Sequence, residues 1–208
     1  IVGVAIQALV RNPLADPYII GVSSGASLGA VLVLFFQWTF WGLGAFTLPI
    51  VAIITGFLSL LLVFGMTFLS NRSLAVETIV LAGVVVSSFI SAINSLLMAV
   101  SEQEGLSQII YWLMGSVRMR GWEHVQLLAP FAVIGSVILL MHVRELNALA
   151  LGEHEASHLG VRVRHKKIFI LIGASLLTGA AVAVSGAIGF VGLVIPHIIR
   201  LIFGADYR

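Results

Sequence analysis

The sequence contains no cysteine and few charged residues. Asp, Glu, Lys and Arg together make up 10% of the 208 residues, whereas apolar residues make up 60%. A typical soluble domain carries about 25% charged residues, so this composition predicts an integral membrane protein. Without cysteine, a disulfide framework and a thiolate metal site are both excluded for this chain. The formal net charge of +2 does not indicate nucleic-acid binding, because the basic residues stand in short loops between apolar segments.

Charge is also missing from the middle of every apolar segment. A charged side chain at the centre of a bilayer costs about 2.5–3.5 kcal/mol on insertion scales and usually marks an ion or proton path. The sequence therefore argues against an ion-coupled or proton-coupled carrier. A Gly-rich phosphate loop of the G-x-x-x-x-G-K-S/T type is absent as well. We expect that this chain does not bind or hydrolyse ATP, and that energy enters through a partner outside the membrane.

The apolar segments predict an all-α fold, a polytopic transmembrane helical bundle forming one domain over residues 1–208. A spanning helix needs about 20 mostly apolar residues. Six full or near-full spans are predicted, at residues 18–40, 47–69, 78–100, 125–143, 168–185 and 188–203, the last one short and broken by Pro196. Residues 1–10 are too few for a crossing. We interpret them as the end of a truncated span, so the chain is expected to be a fragment of a longer protein.

The longest polar stretch, residues 151–167, lies between the fourth and fifth predicted spans and is called the platform below. Gly152 and Gly160 bracket about two turns of predicted helix, and Gly160 suits the left-handed position after its last turn. Alternating the spans across the bilayer puts nine of the eleven basic residues on the platform's side. They are Arg11, Arg72, Arg144, Arg162, Arg164, Lys166, Lys167, Arg200 and Arg208. Such an excess marks the cytoplasmic side, so the platform is expected to face the cytoplasm.

Two patterns of small residues stand out within the spans. Gly21, Gly25 and Gly29 recur every four residues and predict close packing against a neighbouring helix. Polar residues share one face of the third span, because they recur at spacings of three and four. They are Ser87, Ser88, Ser91, Asn94 and Ser95. This face suits either interhelical hydrogen bonding or the wall of a translocation path, and the residues alone favour hydrogen bonding.

The platform also contains a match to the H-E-x-x-H pattern of zinc peptidases, at His154, Glu155 and His158. Two histidines one helical turn apart can share a metal, and the glutamate can act as a base. A catalytic zinc needs a third protein ligand and a dry, shaped cavity, and neither is evident around a short helix in a polar loop. A membrane metalloprotease is therefore the alternative function of another class, while no metal is expected here.

Five segments together resemble the permease subunits of binding-protein-dependent ABC importers for iron-siderophores, haem and cobalamin. The segments are RNPLADPYIIGVSSGASLGA at 11–30, YWLMG at 111–115, LGE at 151–153, LGV at 159–161 and SGAIGFVGLVIPH at 185–197, with Arg200 after the last. They occur in the family's order and the similarity covers essentially the whole chain. The family's pattern would add one span and most of a second before Ile1, and two more after Arg208.

The resemblance implies a permease that moves an iron-siderophore, or alternatively haem or cobalamin, across the cytoplasmic membrane of a prokaryote. It implies partners: a second permease subunit, separate ABC ATPase subunits, an extracytoplasmic substrate-binding protein and the lipid bilayer, with no cofactor and no nucleic acid. It makes the platform a cytoplasmic coupling loop that contacts the ATPase. The contact residues would be Gly152, Glu153, Glu155, Ala156, Leu159 and Gly160. It also makes the third span a path-lining helix, which favours the path interpretation for Ser87, Ser91 and Asn94.

Overall fold

The computed structural model describes residues 1–40, 42–71, 75–118 and 120–204, and all regular structure in these ranges is helical. Arg72 and Arg208, two of the basic residues on the platform's side, lie outside the described residues. The helices are α1 (Val2–Val10), α2 (Val22–Phe35), α3 (Thr47–Asn71), α4 (Val76–Val100), α5 (Gln103–Met114), α6 (Trp122–Met141), α7 (Val143–Leu151), α8 (Glu153–His158), α9 (Val163–Ser185) and α10 (Val191–Phe203). The predicted all-α fold class is confirmed.

Four of the described helices, α3, α4, α6 and α9, are long and apolar enough to cross a membrane. Their bounds agree with the spans predicted at 47–69, 78–100, 125–143 and 168–185 to within a few residues, because long apolar runs leave little freedom in where a spanning helix lies. The largest difference is at α9, which begins at Val163. The basic end of the platform is therefore the first part of this helix rather than a loop.

The first and last predicted spans are shorter helices than expected. The predicted span 18–40 begins within a 3₁₀ helix (Pro17–Ile20), continues through a left-handed Gly21 with φ of 88° and only then forms α2, which has 14 residues. At 1.5 Å per residue such a helix is about 21 Å long, against about 30 Å of hydrocarbon core. α10 has 13 residues and is similarly short. Pro17 at the start of the 3₁₀ helix and Gly21 directly after its end set the N-terminal limit of α2.

Pro196 lies inside α10 and does not break it, contrary to the prediction. A proline has no N–H, so within a helix it leaves the carbonyl four residues earlier without its usual donor. That carbonyl belongs to Gly192, and it accepts a long hydrogen bond of 3.5 Å from Gln7 Nε2 of α1. α10 continues past the proline with its freed carbonyl facing a donor on a neighbouring helix.

α2 occupies the middle of the bundle and packs against α3, α4, α5 and α9. α9 in turn packs against α6 and α3, while α1 reaches both α7 and α10. α6 lies at the periphery, where its buried residues are Gly135 and Leu139. The apolar side chains that α6 leaves exposed suit a face in contact with lipid. The platform helices α7 and α8 thus sit at the end of a bundle whose centre is α2 and α9.

The three glycines predicted to pack closely face two different helices. A Cβ atom on Gly25 would lie 2.5 Å from Ser59 Cβ and 2.7 Å from the Thr55 carbonyl oxygen of α3. A Cβ atom on Gly29 would lie 2.1 Å from Thr55 Oγ1. Gly21 instead precedes α2 and lies against Gly83 and Ser87 of α4. α2 therefore meets α3 along Gly25 and Gly29, at a distance that a larger residue does not allow.

Replacing Gly25 by alanine in the full-length protein is expected to lower its melting temperature in detergent by several degrees. The added methyl group must push α3 away, and this outweighs the helix propensity of alanine, which exceeds that of glycine by about 1 kcal/mol. The matched control is Gly65→Ala in α3, where a Cβ would have nothing within 4 Å. The control should leave the melting temperature unchanged or raise it. Equal changes in the two variants would contradict the close packing of α2 on α3.

Candidate functional site

Two short helices meet at Gly152: α7, which leads into the platform, and α8, which lies within it; the two are called the platform helices. The backbone of Gly152 has φ of 133° and ψ of 154°, a combination that is essentially restricted to glycine. Gly152 is also buried, although a Cβ atom there would meet only Arg11 Nη1, at the ordinary contact distance of 3.5 Å. The chain can leave α7 and start α8 immediately only because residue 152 is glycine.

The C-terminal end of α8 is closed by a Schellman motif. The N–H of Gly160, which has φ of 81°, donates to the Ser157 carbonyl at 3.0 Å, and the N–H of Val161 donates to the Ala156 carbonyl at 3.0 Å. This pairing satisfies carbonyls that a helix end otherwise leaves free. Ala156 and Val161 also belong to the same apolar cluster. The glycine predicted to end the helix does so in the left-handed conformation expected.

α8 divides the predicted ATPase-contact residues into an inner and an outer group. Ala156 is fully buried and Gly152 is buried, so their side of α8 packs on the bundle. Glu155, Leu159 and Gly160 are exposed, and Leu159 exposes 67% of its surface. A leucine exposed to this extent beside a carboxylate is available to a partner surface. Glu153 lies between the groups, because its carboxylate turns back toward α9.

Two consecutive lysines of α9 bind the two platform helices by ion pairs. Lys166 Nζ lies 2.6 Å from Glu145 Oε1 of α7, and Lys167 contacts the Glu153 carboxylate of α8. The first pair is partly open to solvent, with side-chain exposures of 34% and 20%. In the second pair the lysine is almost completely enclosed, at 1%. The platform is therefore fixed to α9 through both of its helices.

The pKa of Glu145 shows how the exposed pair responds to pH. Burial by itself raises the pKa of this carboxyl, but the hydrogen bond from Lys166 and the nearby positive charges lower it, and the net pKa lies below its ordinary value. A lowered pKa in the folded state contributes stability that is present above the ordinary pKa and is lost as the pH falls through the lowered one. The ion pair is thus intact at neutral pH.

The start of α9 makes two further contacts, both through aromatic rings. The guanidinium of Arg164 lies 5.2 Å from the centre of the Phe68 ring of α3, a cation–π geometry. The ring of Phe169 stacks on His142, between α6 and α7, with centroids 5.8 Å apart. Together with the lysines, these residues connect the first turns of α9 to the platform and to two spanning helices.

The H-E-x-x-H match lies on the surface of α8. The rings of His154 and His158 stack with centroids 5.2 Å apart, and both residues are exposed, as is Glu155. Among the described residues there is no group of three or more His, Cys, Asp or Glu that could hold a metal ion. The described residues therefore bring no third such ligand to this motif, although a catalytic zinc needs one.

The three predicted path residues of α4 have different surroundings. Asn94 is buried, and its Nδ2 donates to Ser27 Oγ of α2 at 3.1 Å, so it joins two helices. Ser87 and Ser91 line an open groove of about 580 Å³ between α4 and the start of α2, called the α4 groove. Its other lining residues are Tyr18, Ile19, Ser24, Val84 and Ser88. Ser87 Oγ is buried there without a hydrogen-bond partner in the described structure.

Sequence reasoning missed the role of Lys167, although a signal was present. Three buried residues of α9 follow Lys167 at distances of three, four and seven positions along the sequence. They are Ile170, Leu171 and Ala174. These spacings mark one face of a helix, and Lys167 extends that face by one turn. A lysine continuing a buried stripe indicates a buried charge that needs a partner.

Residues 1–208, the whole chain, match the model of the FecCD transport family. The chain belongs to this family. The FecCD chain is 49% identical to YvrB of Bacillus subtilis (strain 168), an uncharacterized ABC transporter permease protein, over 208 residues that are 100% of the chain and 59% of the relative. It is 40% identical to the cobalamin import system permease protein BtuC of Halobacterium salinarum, over 99% of the chain and 54% of the relative.

Two further comparisons concern a hemin permease and a solved structure. The FecCD chain is 37% identical to the hemin transport system permease protein HmuU of Yersinia pestis, over 99% of the chain and 61% of the relative. It superposes with a TM-score of 0.88 on a solved metal-chelate type ABC transporter in an inward-facing conformation, at 38% identity over 99% of the chain and 64% of that structure's chain. The FecCD chain spans less than two thirds of the length of these relatives.

Asparagine substitutions should distinguish the two platform glycines of the FecCD chain. Asparagine tolerates the left-handed conformation of Gly160, whereas the conformation of Gly152 costs a residue with a side chain on the order of 1–3 kcal/mol. We expect Gly152→Asn to displace α8 and to speed trypsin cleavage at the exposed Arg162 in the purified full-length protein. Gly160→Asn is the control and should be cleaved at the wild-type rate. Similar rates for both variants would contradict the special role of Gly152.

Proposed function

We propose that the protein to which this chain belongs is the membrane permease subunit of an ATP-driven importer for a metal chelate. The observation that carries the proposal is the match of all 208 residues to the FecCD transport family. The exposed end of α8 also supports the proposal, because it offers a surface to a partner. A glycine junction and an ion pair hold this helix on the bundle. The four long apolar helices support a multi-pass location, which we infer to be the cytoplasmic membrane of a prokaryote.

The mechanism that follows assigns separate tasks to separate chains. ATPase subunits bind and hydrolyse ATP, since this chain has no phosphate-binding loop. Their closure moves the platforms of two permease subunits, and the displacement passes into α6 and α9. An extracytoplasmic binding protein delivers the cargo to the outer opening between the two subunits. The translocation path alternates between outward-facing and inward-facing arrangements, and the permease itself catalyses no covalent reaction.

An iron-siderophore is the cargo that we place first, with haem and cobalamin as alternatives. Relatives of the chain carry the names of permeases for Fe(3+) dicitrate, hemin and cobalamin. The residues lining the α4 groove are serines, a tyrosine and apolar residues, without a charged side chain among them. Hydroxyl and apolar surfaces form few strong contacts with a bulky chelate, so they allow it to pass rather than retain it.

Docking of the ATPase is tested by co-purification with the tagged full-length permease from native membranes. Glu155→Arg and Leu159→Arg should each reduce the amount of co-purified ATPase by about tenfold or more, because a charge of the wrong sign or an unpaired charge is placed in the contact. Val117→Arg, an equally exposed apolar position remote from the platform, is the matched control and should retain the ATPase. Retention of the ATPase by both platform variants would refute the docking surface. Bound zinc near one equivalent, with no ATPase, would support the peptidase alternative.

Passage of the cargo is tested by narrowing the α4 groove with Ser91→Trp. Vesicles containing the complete importer are supplied in turn with a ferric siderophore, haemin and cobalamin, each radiolabelled. The bulky side chain should reduce uptake of the transported probe by about tenfold or more while co-purification of the ATPase is unchanged. Val137→Trp, on the exposed face of the peripheral helix α6, should transport normally. Wild-type uptake by Ser91→Trp would exclude the groove from the path.

A further inference from the structure

Lys167 is the most deeply placed charge among the described residues of the platform. Its surface is 1% exposed, although it is only four residues from the start of α9. Removing an ammonium group from water is strongly unfavourable unless an anion compensates for it. The Glu153 carboxylate, which belongs to the first residue of α8, provides such an anion. The position of the N-terminal end of α8 is therefore tied to the buried face of α9.

The neighbouring pair provides an internal comparison. Lys166 and Glu145 join α9 to α7 in the same way, but both of their side chains are partly exposed to water. Solvent-exposed ion pairs contribute little, because water and salt screen them and flexible side chains can separate. In the second pair the ammonium of Lys167 is enclosed, while the Glu153 side chain is 38% exposed. Removing Glu153 would leave an enclosed charge without its anion, which is strongly unfavourable, whereas removing Lys167 would leave a carboxylate that water can reach. Because the ammonium of Lys167 cannot leave Glu153 for water, whereas that of Lys166 can leave Glu145, the connection to α8 is the more rigid of the two.

Displacement of α8 would reach the middle of the bundle through this rigid connection. On the same face of α9, Lys167 is followed by the fully buried residues Ile170 and Leu171. α9 packs against α2, α3 and α6, so its movement reaches α2, one of the two helices that flank the α4 groove. Close-packed interiors transmit displacement rather than absorbing it. The described contacts form a continuous chain from the exposed face of α8, through Glu153 and Lys167, to α9.

We propose that Lys167 is a positioning residue that transmits movement of α8 to the spanning helix α9 through its ion pair with Glu153. The inference rests on the proposed function, because the movement comes from the docked ATPase. It changes the task assigned to Glu153. This residue, expected from the family resemblance to contact the ATPase, instead holds α8 on α9, while the exposed Glu155 and Leu159 form the outer contact.

The test measures movement of α9 directly and does not depend on the cargo. Ala181→Cys introduces a single thiol on an exposed position of α9 in a full-length permease made free of other cysteines. The permease is reconstituted with its ATPase, and the rate of maleimide labelling is measured with and without a non-hydrolysable ATP analogue. In the parent the analogue should change the rate by about fivefold or more, the lower end of what coupled sites show.

Lys167→Met should abolish this response while ATPase co-purification and the melting temperature of the complex stay close to those of the parent. Lys166→Met is the matched control, with the same substitution at the adjacent residue, and should keep the response. Glu153→Gln is the second variant should Lys167→Met fail to fold; glutamine keeps an oxygen that can accept from the ammonium of Lys167, and the variant should weaken the response. The double variant Glu153→Lys with Lys167→Glu again has opposite charges at the two positions, and it should recover part of the labelling response.

The outcomes separate the two proposals. If the parent retains no ATPase, the proposed function fails before the link is examined. If the parent binds the ATPase but its labelling rate is unchanged by the analogue, α9 does not move and the link is refuted. An unchanged response in Lys167→Met or Glu153→Gln also refutes it. Equal losses in Lys166→Met and Lys167→Met, or loss of the ATPase from Lys167→Met, would mean that the lysines only maintain the fold of the platform.

Discussion

Helix pairing in this bundle depends on close backbone contact at glycine, because lipid tails are as apolar as the side chains and do not drive membrane helices together. A Cβ atom on Gly3 of α1 would lie 1.9 Å from the Gly192 carbonyl oxygen of α10. One on Gly83 of α4 would lie 2.1 Å from the Ile19 carbonyl oxygen. At these contacts one helix covers carbonyl groups of another segment. The short α2 and α10, and the 3₁₀ helix between α1 and α2, therefore meet their neighbours at backbone surfaces as well as through buried side chains such as Ile20 and Val22.

The long spans could be predicted from the sequence, whereas the short ones could not. α3, α4, α6 and α9 follow uninterrupted apolar runs, and length alone assigns them. The short α2 and the continuous α10 depend on tertiary contacts, which an apolar run does not encode. Gly21 adopts a left-handed conformation against α4, and Pro196 remains helical because Gln7 reaches the carbonyl that the proline frees. A distant residue thus decides that α10 continues, whereas α2 begins where Gly21 tolerates the left-handed conformation and fits against α4.

The platform shows the same division between local and distant determinants. Gly160 ends α8 in the left-handed conformation because a local motif specifies it, and this was predictable from the sequence. Which residues of α8 face outward was not predictable, since a six-residue helix is too short for its periodicity to identify a buried face. Ala156 and Glu153 are turned inward by the cluster around Val161 and by Lys167, which lies eleven or more positions away from both.

α8 is too short to be stable by itself, because isolated helices of fewer than about 12 residues are marginal in water. This one has six residues and exists because Gly152, the Schellman motif and Lys167 hold both of its ends. Its shape is therefore present before any partner arrives. Fixing the backbone of a disordered residue costs about 1–2 kcal/mol of entropy, and a partner that binds this surface does not incur that cost. Preorganisation of this kind lowers the dissociation constant for a given set of contacts and lets association proceed without a folding step.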